Sequence, residues 1–184
     1  MRLKVITSNS GKVNEYREAL SSFSITADPV KIQYDEIQSS DPEEIVRKGM
    51  DHLKASGISD FIIDDSGMFV DSLNGFPGVY SAYVQETIGN AGILKLMENV
   101  SDRKAVFLCC IGCNISGKDI MVTGKCDGVI LEKEAGAEGF GYDPIFSHDG
   151  KRSLAEMPLS EKNNISHRGN AVKLLVKEIE KMIR

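Results

Sequence analysis

The sequence predicts a mixed α/β fold, in which helices flank a β-sheet, and three observations support this. The length of 184 residues suits one sizeable core, so we expect a single domain over residues 1–184. Apolar residues make up 41% of the chain and charged residues 27%, which is typical of a soluble globular protein. Helical spacings alternate with short apolar runs in the first half, and two long β-type runs are adjacent in the second half.

The first elements are a strand, a helix and a second strand. The run RLKVITS is typical of a strand, and GKVNEYREALSSF places Val13, Tyr16 and Leu20 at helical spacing. The run SITADPVKIQYDEI then predicts a strand that Pro29 interrupts.

The next segment, DPEEIVRKGMDHLKASG, carries start and stop signals for a helix. Asp41 is a candidate N-cap, Pro42 suits the first helical position, and Gly57 suits the end. The apolar run DFIIDD that follows predicts a strand ending at its two aspartates.

The second half of the chain begins with turn residues in LNGFPGVYSAYV and a helix in IGNAGILKLMENV. Two long β-type runs follow, and NISGKD predicts the hairpin turn between them. The run GFGYDPIF predicts a glycine-rich turn that leads into a short strand. An amphipathic helix that starts near Ser166 closes the chain.

Net charge and apolar segments argue against three classes of protein: nucleic-acid-binding, secreted and membrane proteins. A formal net charge of -5 argues against a nucleic-acid partner, which would need a basic surface. The apolar run in MRLKVITSNS is too short for a signal peptide, and no segment approaches the roughly 20 apolar residues of a membrane span. We therefore predict a cytoplasmic protein with no membrane partner.

The cysteines lie in the two long β-type runs. Cys110 and Cys113 form a C-x-x-C pair, but side chains alternate along a strand, so these two should point to opposite faces. No second cysteine pair completes a zinc site. We expect buried free thiols at Cys109, Cys110, Cys113 and Cys126.

The stretch TSNSGK lies where the first strand meets the first helix. Helix N–H groups, polar side chains and a lysine converge there, which is how a chain binds phosphate. It is not a Walker A loop, because Ile6 occupies the position of that motif's first glycine. The alternative is that Ser10 only caps the helix. The candidate phosphate ligands are Thr7, Ser8, Asn9, Ser10, Gly11 and Lys12.

Two adjacent carboxylates, Asp64 and Asp65, precede Ser66 and a glycine. At the end of a strand both can reach one cleft, where a carboxylate binds Mg²⁺ or acts as a general base toward water. Glu36 becomes a second metal ligand only if the fold brings it near Asp65. The alternative is a pair of turn-capping aspartates.

Two further stretches suit a nucleobase and its phosphates. Phe140, Gly141, Tyr142 and Asp143 form a turn that can approach and stack on a planar ligand, or a tight turn with buried aromatics. Cations surround the start of the last helix, against its dipole, so a bound anion among them would remove the conflict. These cations are Lys162, His167 and Arg168. Phosphates, Mg²⁺ and a base are the natural joint ligand of the whole set.

Four stretches carry a family resemblance: TSNSGK, DDSGMFVDSLNGFPGVYSA, GFGYDPIF and SHRGNA. On these motifs the chain is similar to the inosine triphosphate pyrophosphatase family. The resemblance implies an elongated mixed β-sheet flanked by helices, two lobes with a nucleotide-binding cleft between them, and a homodimer. It also implies hydrolysis of ITP, dITP and XTP to the monophosphate and pyrophosphate, with one Mg²⁺ per subunit, which keeps these nucleotides out of DNA and RNA.

The resemblance also implies residue roles. Asp65 matches the catalytic base and metal ligand, Asp64 its acidic neighbour, and Glu36 the other metal-binding carboxylate. Lys48 is the best match to a phosphate-binding lysine of the second helix, although Arg47 and Lys54 compete with it. The implied substrate contacts are Thr7 to Lys12, Ser66, Phe140 to Asp143, Lys162, His167 and Arg168.

Two rival functions fit parts of the sequence. A Mg²⁺-dependent phosphatase would release orthophosphate from ITP, although DDSG lacks the usual D-x-D spacing of aspartyl-phosphate chemistry. A nucleotide-binding or RNA-binding module without catalysis is the second rival, and the acidic balance argues against it.

Overall fold

The computed structural model describes residues 1–34 and 37–183 and contains one mixed seven-stranded sheet. Its strands are β1 (Arg2–Ile6), β2 (Thr26–Val30), β3 (Phe61–Val70), β4 (Pro77–Gly78), β5 (Lys104–Ile115), β6 (Lys118–Ile130) and β7 (Phe146–Ser147). The helices are α1 (Ser10–Ser21), α2 (Pro42–Ala55), α3 (Ser81–Thr87), α4 (Gly89–Leu96), α5 (Leu159–Ile165) and α6 (His167–Ile183).

The sheet is parallel at one side and antiparallel at the other. Its order is β2-β1-β3-β5-β6-β7, with β4 paired to β3. The β1 strand pairs in parallel with β2 and β3, while β5, β6 and β7 each pair antiparallel to the strand before them in the sheet. Parallel neighbours need a crossover, which α1 and α2 provide. The predicted mixed fold is confirmed.

Local signals in the sequence set several element ends. Asp41 caps α2, because its Oδ1 accepts the Glu43 N–H at 2.9 Å, and Pro42 is the first helical residue. The turn between β5 and β6 consists of Ser116 and Gly117, whose φ angles of 49° and 76° suit a two-residue hairpin. The predicted cap and hairpin are confirmed.

The helices around the site differ from the prediction. The segment LNGFPGVYSAYV, predicted to contain turn residues, also holds the start of α3, and α4 is shorter than the predicted helix, since it ends at Leu96. A further helix, α5, was not predicted. It ends at Ile165, and the next residue, Ser166, has extended backbone angles and caps α6 by accepting the Gly169 N–H on its Oγ at 3.1 Å.

Side-chain alternation along β5 divides the core between the two faces of the sheet. Cys109 and Cys113 pack in the cluster under α1 and α6, whereas Cys110 packs with Val46 and Met50 of α2. The four cysteines are buried free thiols, as predicted. Burial raises the pKa of Cys109, Cys110 and Cys113 to about 12, so these thiols stay protonated.

A third apolar cluster lies beside α3 and α4. It contains Met68, Ile93, Phe107, Tyr142 and Phe146 and supports the turn before β7. In the part of the chain that the structure describes, no helix has the length and apolarity of a membrane span. The expectation of a single domain stays a prediction.

Candidate functional site

A cavity of about 1030 Å³ lies where the N-terminus of α1, the middle of β3, α3 and the start of α6 meet. It brings together residues from all four motifs that the sequence singled out. The predicted site residues that line it are Thr7, Ser8, Asn9, Lys12, Asp64, Asp65, Ser66, Phe140, Gly141, Tyr142, Asp143, Lys162, His167 and Arg168.

Asp64 and Asp65 lie in the middle of β3, so the prediction that the strand ends there is wrong. The strand continues to Val70 in register with β5. Gly67 is needed for strand pairing rather than for a turn, since a Cβ there would lie 2.2 Å from the carbonyl oxygen of Gly78. Because side chains alternate along a strand, the two carboxylates point to opposite faces of the sheet.

Asp64 faces α1 and α6 and forms ion pairs with two cations. Its Oδ2 lies 3.0 Å from Lys12 Nζ and 3.1 Å from Arg168 Nη2, and it accepts the Ser66 hydroxyl at 2.8 Å. Burial raises the pKa of Asp64, but Lys12 and Arg168 outweigh burial and hold that pKa well below its ordinary value. The sequence grouped Asp64 with the metal ligands, and the structure places it among cations instead.

A chain of buried ion pairs continues from Asp64 toward residues 140–143, which we call the aromatic turn. Arg168 also pairs with Glu15, and the other carboxylate oxygen of Glu15 lies 2.5 Å from Lys162 Nζ. Lys162 pairs in turn with Asp143. We call this set of three carboxylates and three cations the charge chain; in order, it consists of Asp143, Lys162, Glu15, Arg168, Asp64 and Lys12.

Carboxylates of the charge chain neutralise the arginine at the start of α6, whose charge opposes the helix dipole. The sequence suggested a bound anion, and the structure supplies Glu15 and Asp64 as anions for Arg168. Burial, and then Arg168 and Lys162, lower the pKa of His167 well below its usual value, so the ring is neutral. It stacks on Phe107 at 4.5 Å between ring centroids.

Glu15 is the member of the charge chain that the sequence analysis missed. It lies three residues after Lys12 in α1, and helical residues three apart lie on the same face. The spacing of three residues is the signal from which the sequence could have placed Glu15 on the same helix face as Lys12. Burial raises the pKa of Glu15, but Arg168 and Lys162 reverse this and lower it, so the carboxylate is ionised.

Asp65 faces the opposite side of the sheet, under α2. The strand register aligns it with Cys110 of β5 and Thr123 of β6, and the Thr123 hydroxyl donates to Glu43 Oε1 at 3.1 Å. Apart from burial, the charges of Glu43, Asp65 and Asp41 raise the pKa of Cys110. This face is therefore acidic, whereas on the Asp64 face each carboxylate is paired with cations.

The acidic face suits a magnesium ion. Among residues 1–34 and 37–183, no three His, Cys, Asp or Glu side chains are grouped to hold a metal. Glu36, the predicted partner of Asp65, lies outside the described residues. Magnesium commonly takes one or two protein carboxylates and completes its shell with water and substrate phosphates. Asp65 fits that chemistry without a larger protein cluster.

The start of α1 is built differently from the prediction. Asn9, not Ser10, is the N-cap: its Oδ1 accepts the Lys12 N–H at 3.1 Å, and its own N–H donates to Thr7 Oγ1 at 3.1 Å. Ser10 and Gly11 do not line the cavity. Gly11 packs against Phe140, since a Cβ on Gly11 would lie 2.3 Å from the ring's Cδ1.

The aromatic turn presents one ring and buries the other. Tyr142 is 4% exposed and its hydroxyl donates to the Ser81 carbonyl at 2.9 Å, so it anchors the turn to α3. Phe140 is half-buried, with Lys162 Nζ 5.0 Å from its ring centroid. Asp143 accepts the Phe140 N–H at 2.8 Å. Burial raises the pKa of Asp143, and the charge of Lys162, which lowers that pKa, only partly offsets the rise.

The structure does not place Lys48 at the cavity. Lys48 is exposed on α2 and outside the lining. Of its competitors, Lys54 pairs with Asp119 at 2.5 Å, and Arg47 also lies outside the cavity. The additional cation in the lining is Lys31, which directly follows β2 and which no sequence motif marked.

Comparison with known proteins gives matches along almost the whole chain. A model of the Ham1 family matches residues 3–178. A dITP/XTP pyrophosphatase of Pyrococcus horikoshii is 48% identical over 174 residues, covering 94% of each chain. A dITP/XTP pyrophosphatase of Methanopyrus kandleri is 44% identical over 94% of this chain and 93% of its own. The solved Staphylococcus aureus Ham1 protein has a TM-score of 0.81 at 29% identity, covering 99% of this chain and 100% of that one.

Proposed function

The chain belongs to the Ham1 family, and on that premise we propose that it is a nucleoside triphosphate pyrophosphatase. Its substrates would be noncanonical purine nucleotides such as ITP, dITP and XTP, cleaved to the monophosphate and pyrophosphate. One observation carries the proposal: a single cavity of about 1030 Å³ joins buried cations, Asp65 and an aromatic turn. That volume is at the upper end of the usual range for small-molecule sites.

The triphosphate would bind at the start of α1. The positive end of the α1 dipole attracts phosphate, and the cations Lys12 and Lys31 also line the cavity. Asp64 holds Lys12 and Arg168 in fixed positions through its ion pairs. We therefore assign Asp64 to organising the cations rather than to binding the metal.

The base would lie at the aromatic turn. Phe140 offers a ring for stacking, and the charge chain behind it supplies buried donors from Lys162 and Arg168. Hypoxanthine and xanthine carry a 6-keto acceptor that such donors can use. Adenine carries a 6-amino donor there, which cannot accept a hydrogen bond from these groups, so its transition state would be bound less well.

Asp65 would carry the chemistry. Enzymes that cleave nucleoside triphosphates generally use a divalent metal, and we propose Mg²⁺ held by Asp65, Glu36 and substrate phosphates. A bound magnesium ion would neutralise developing phosphate charge. Asp65 accepts the proton of the attacking water as the linkage between the α and β phosphates breaks.

A panel of nucleoside triphosphates tests the proposed function. The protein is incubated with ITP, dITP, XTP, GTP and ATP in the presence of Mg²⁺, and products are resolved by chromatography. We expect pyrophosphate and monophosphate from ITP, dITP and XTP, far less from ATP, and none in the presence of a chelator. Release of orthophosphate would indicate a phosphatase, and binding without turnover would indicate a binding module.

A homodimer, implied by the family resemblance, is part of the proposal. Among the side chains that the structure describes, five of the eight exposed large apolar ones fall within residues 76–96; they are Phe76, Tyr80, Tyr83, Ile88 and Leu96. We place the interface on this segment and test it by analytical ultracentrifugation. Tyr83→Lys should yield a monomer, whereas Leu174→Lys, a change on the exposed side of α6, should not. A cytoplasmic location stays a prediction.

A further inference from the structure

Two side-chain amides from neighbouring helices bind the same backbone carbonyl at the aromatic turn. Gln85 Nε2 of α3 donates to the Gly141 oxygen at 3.4 Å, and Asn90 Nδ2 of α4 donates to it at 3.2 Å. The amide oxygens of both side chains are buried without a hydrogen-bond partner in the described part of the chain. Native proteins leave few buried acceptors unpaired, so this arrangement requires an explanation.

The orientation of these amides is dictated by the carbonyl. Turning either amide over would set its oxygen against the Gly141 oxygen, because a side-chain amide has donors only on its nitrogen. The two amide oxygens are thus left unpaired so that both nitrogens can hold one carbonyl. We call Gln85 and Asn90 together the amide clamp.

Holding this carbonyl also fixes a donor. A trans peptide unit is planar, so its C=O and N–H point in opposite directions. The unit that contains the Gly141 carbonyl also contains the Tyr142 N–H, and both residues line the cavity. Across residues 1–34 and 37–183, the Tyr142 N–H has no hydrogen-bond acceptor. The clamp therefore sets the direction of a free backbone donor at the cavity.

We propose that Gln85 and Asn90 are positioning residues that select the base by presenting the Tyr142 N–H to it. This rests on the proposed function, since it assumes a purine at the aromatic turn. Gly141 has a φ of 62°, and a glycine has no Cβ to resist rotation of the adjacent peptide unit. Rotation would replace the N–H by the carbonyl oxygen, which suits a 6-amino group rather than a 6-keto group. The clamp prevents that exchange and so favours ITP over ATP.

The test replaces each donor by an acceptor of the same size. Asn90→Asp and Gln85→Glu remove the NH₂ group that holds the carbonyl and set a charged oxygen against it. The measurement is kcat/KM for ITP and for ATP with Mg²⁺. We expect the ITP-to-ATP ratio to fall about tenfold in each variant, since one buried hydrogen bond is lost and a repulsive contact is gained.

The ratio separates positioning from simple damage. Loss of folded protein lowers both rates by one factor and leaves the ratio unchanged. Glu86→Gln is the matched control, because Glu86 follows Gln85, also lines the cavity and makes no hydrogen bond to Gly141. Its ratio should stay at the wild-type value. If an acidic variant does not fold, Asn90→Ala and Gln85→Ala remove the donor without adding charge, with an expected fall of about threefold.

The outcomes are distinguishable. A wild-type protein that releases pyrophosphate from ITP, together with unchanged ratios in both clamp variants, overturns the clamp and leaves the proposed function standing. A wild-type protein that releases no pyrophosphate from ITP overturns the proposed function. A fall in the ratio confined to the clamp variants supports the inference.

Discussion

Asp64 and Asp65 are neighbours in the sequence, yet β3 places their carboxylates in opposite environments. Asp64 lies among Lys12, Arg168 and Ser66, and its charge is neutralised within the protein. Asp65 faces the acidic side of the sheet under α2. A carboxylate already surrounded by cations positions other groups, whereas one on an acidic face attracts a cation. One strand thereby separates a positioning role from a chemical role.

The two faces also differ in what they contribute energetically. Buried ion pairs repay their desolvation only partly, so the charge chain is weak as a source of stability but costly to break. On an acidic face, by contrast, the largest favourable contribution to the free energy comes from binding a cation. Substitutions on the Asp64 face should therefore change stability, and substitutions on the Asp65 face should change turnover.

The largest expected effect is on turnover. Asp65→Asn should lower kcat for ITP by about a thousandfold, because it removes the base and a metal ligand and keeps the side-chain size. The free energy of unfolding should change little, as measured by urea denaturation. Glu43→Gln, on the same acidic face, is the control and should retain most of the activity. Near-normal pyrophosphate release by Asp65→Asn would refute the role of Asp65.

Substitution of the neighbouring residue, Asp64, should lower the stability of the folded protein. Asp64→Asn leaves Lys12 and Arg168 without their shared carboxylate, at positions where the Arg168 side chain is only 2% exposed. We expect a loss of about 3 kcal/mol in the free energy of unfolding in urea, because a buried charge becomes partly uncompensated. A variant as stable as the wild type would show that the two faces do not differ in this way.

A pH titration of stability sharpens the comparison on the Asp64 face. The pKa of His167 is lowered well below 6.5 in the folded protein, so as the pH falls below about 6.5 the unfolded chain binds this proton before the folded protein does. The free energy of unfolding should therefore decrease as the pH is lowered below about 6.5, by up to about 1.4 kcal/mol per pH unit from this residue. His167→Phe, which can still stack on Phe107, should reduce the slope measured by urea denaturation. An unchanged slope would mean that His167 is protonated in the folded protein.

The smallest expected effect concerns the outlying lysines. Lys31→Ala should raise KM for ITP by about threefold to tenfold, because an exposed cation contributes modestly to phosphate binding. Lys48→Ala, a matched removal of an exposed lysine outside the cavity, should leave KM close to the wild-type value. The opposite ranking would restore the role that the family resemblance implied for Lys48.

The sequence predicted those features that depend on short stretches of chain. Asp41 as an N-cap, the hairpin turn at Ser116 and the start of α6 after Ser166 follow from a few neighbouring residues. The motif residues were recognisable as a set, and most of them line one cavity.

The rest depended on partners that are distant in the chain. Arg168 and Glu15 are 153 residues apart, so no local pattern reveals that one neutralises the other. The Ser-Gly after Asp65 resembled a turn, but pairing with β5 kept it in a strand and gave Gly67 a packing role. Tertiary contacts overrode the local signal in each case.

The thiols of β5 provide a built-in reporter of motion in the strand that carries both aspartates. Cys110 is paired with Asp65 in the sheet, and Cys109 with Ser66. Both sulfurs are sealed from solvent, so an alkylating reagent gains access to them only while these strands are apart. The rate at which label accumulates at Cys109 and Cys110, resolved by peptide mapping, therefore reports on opening at the centre of the sheet.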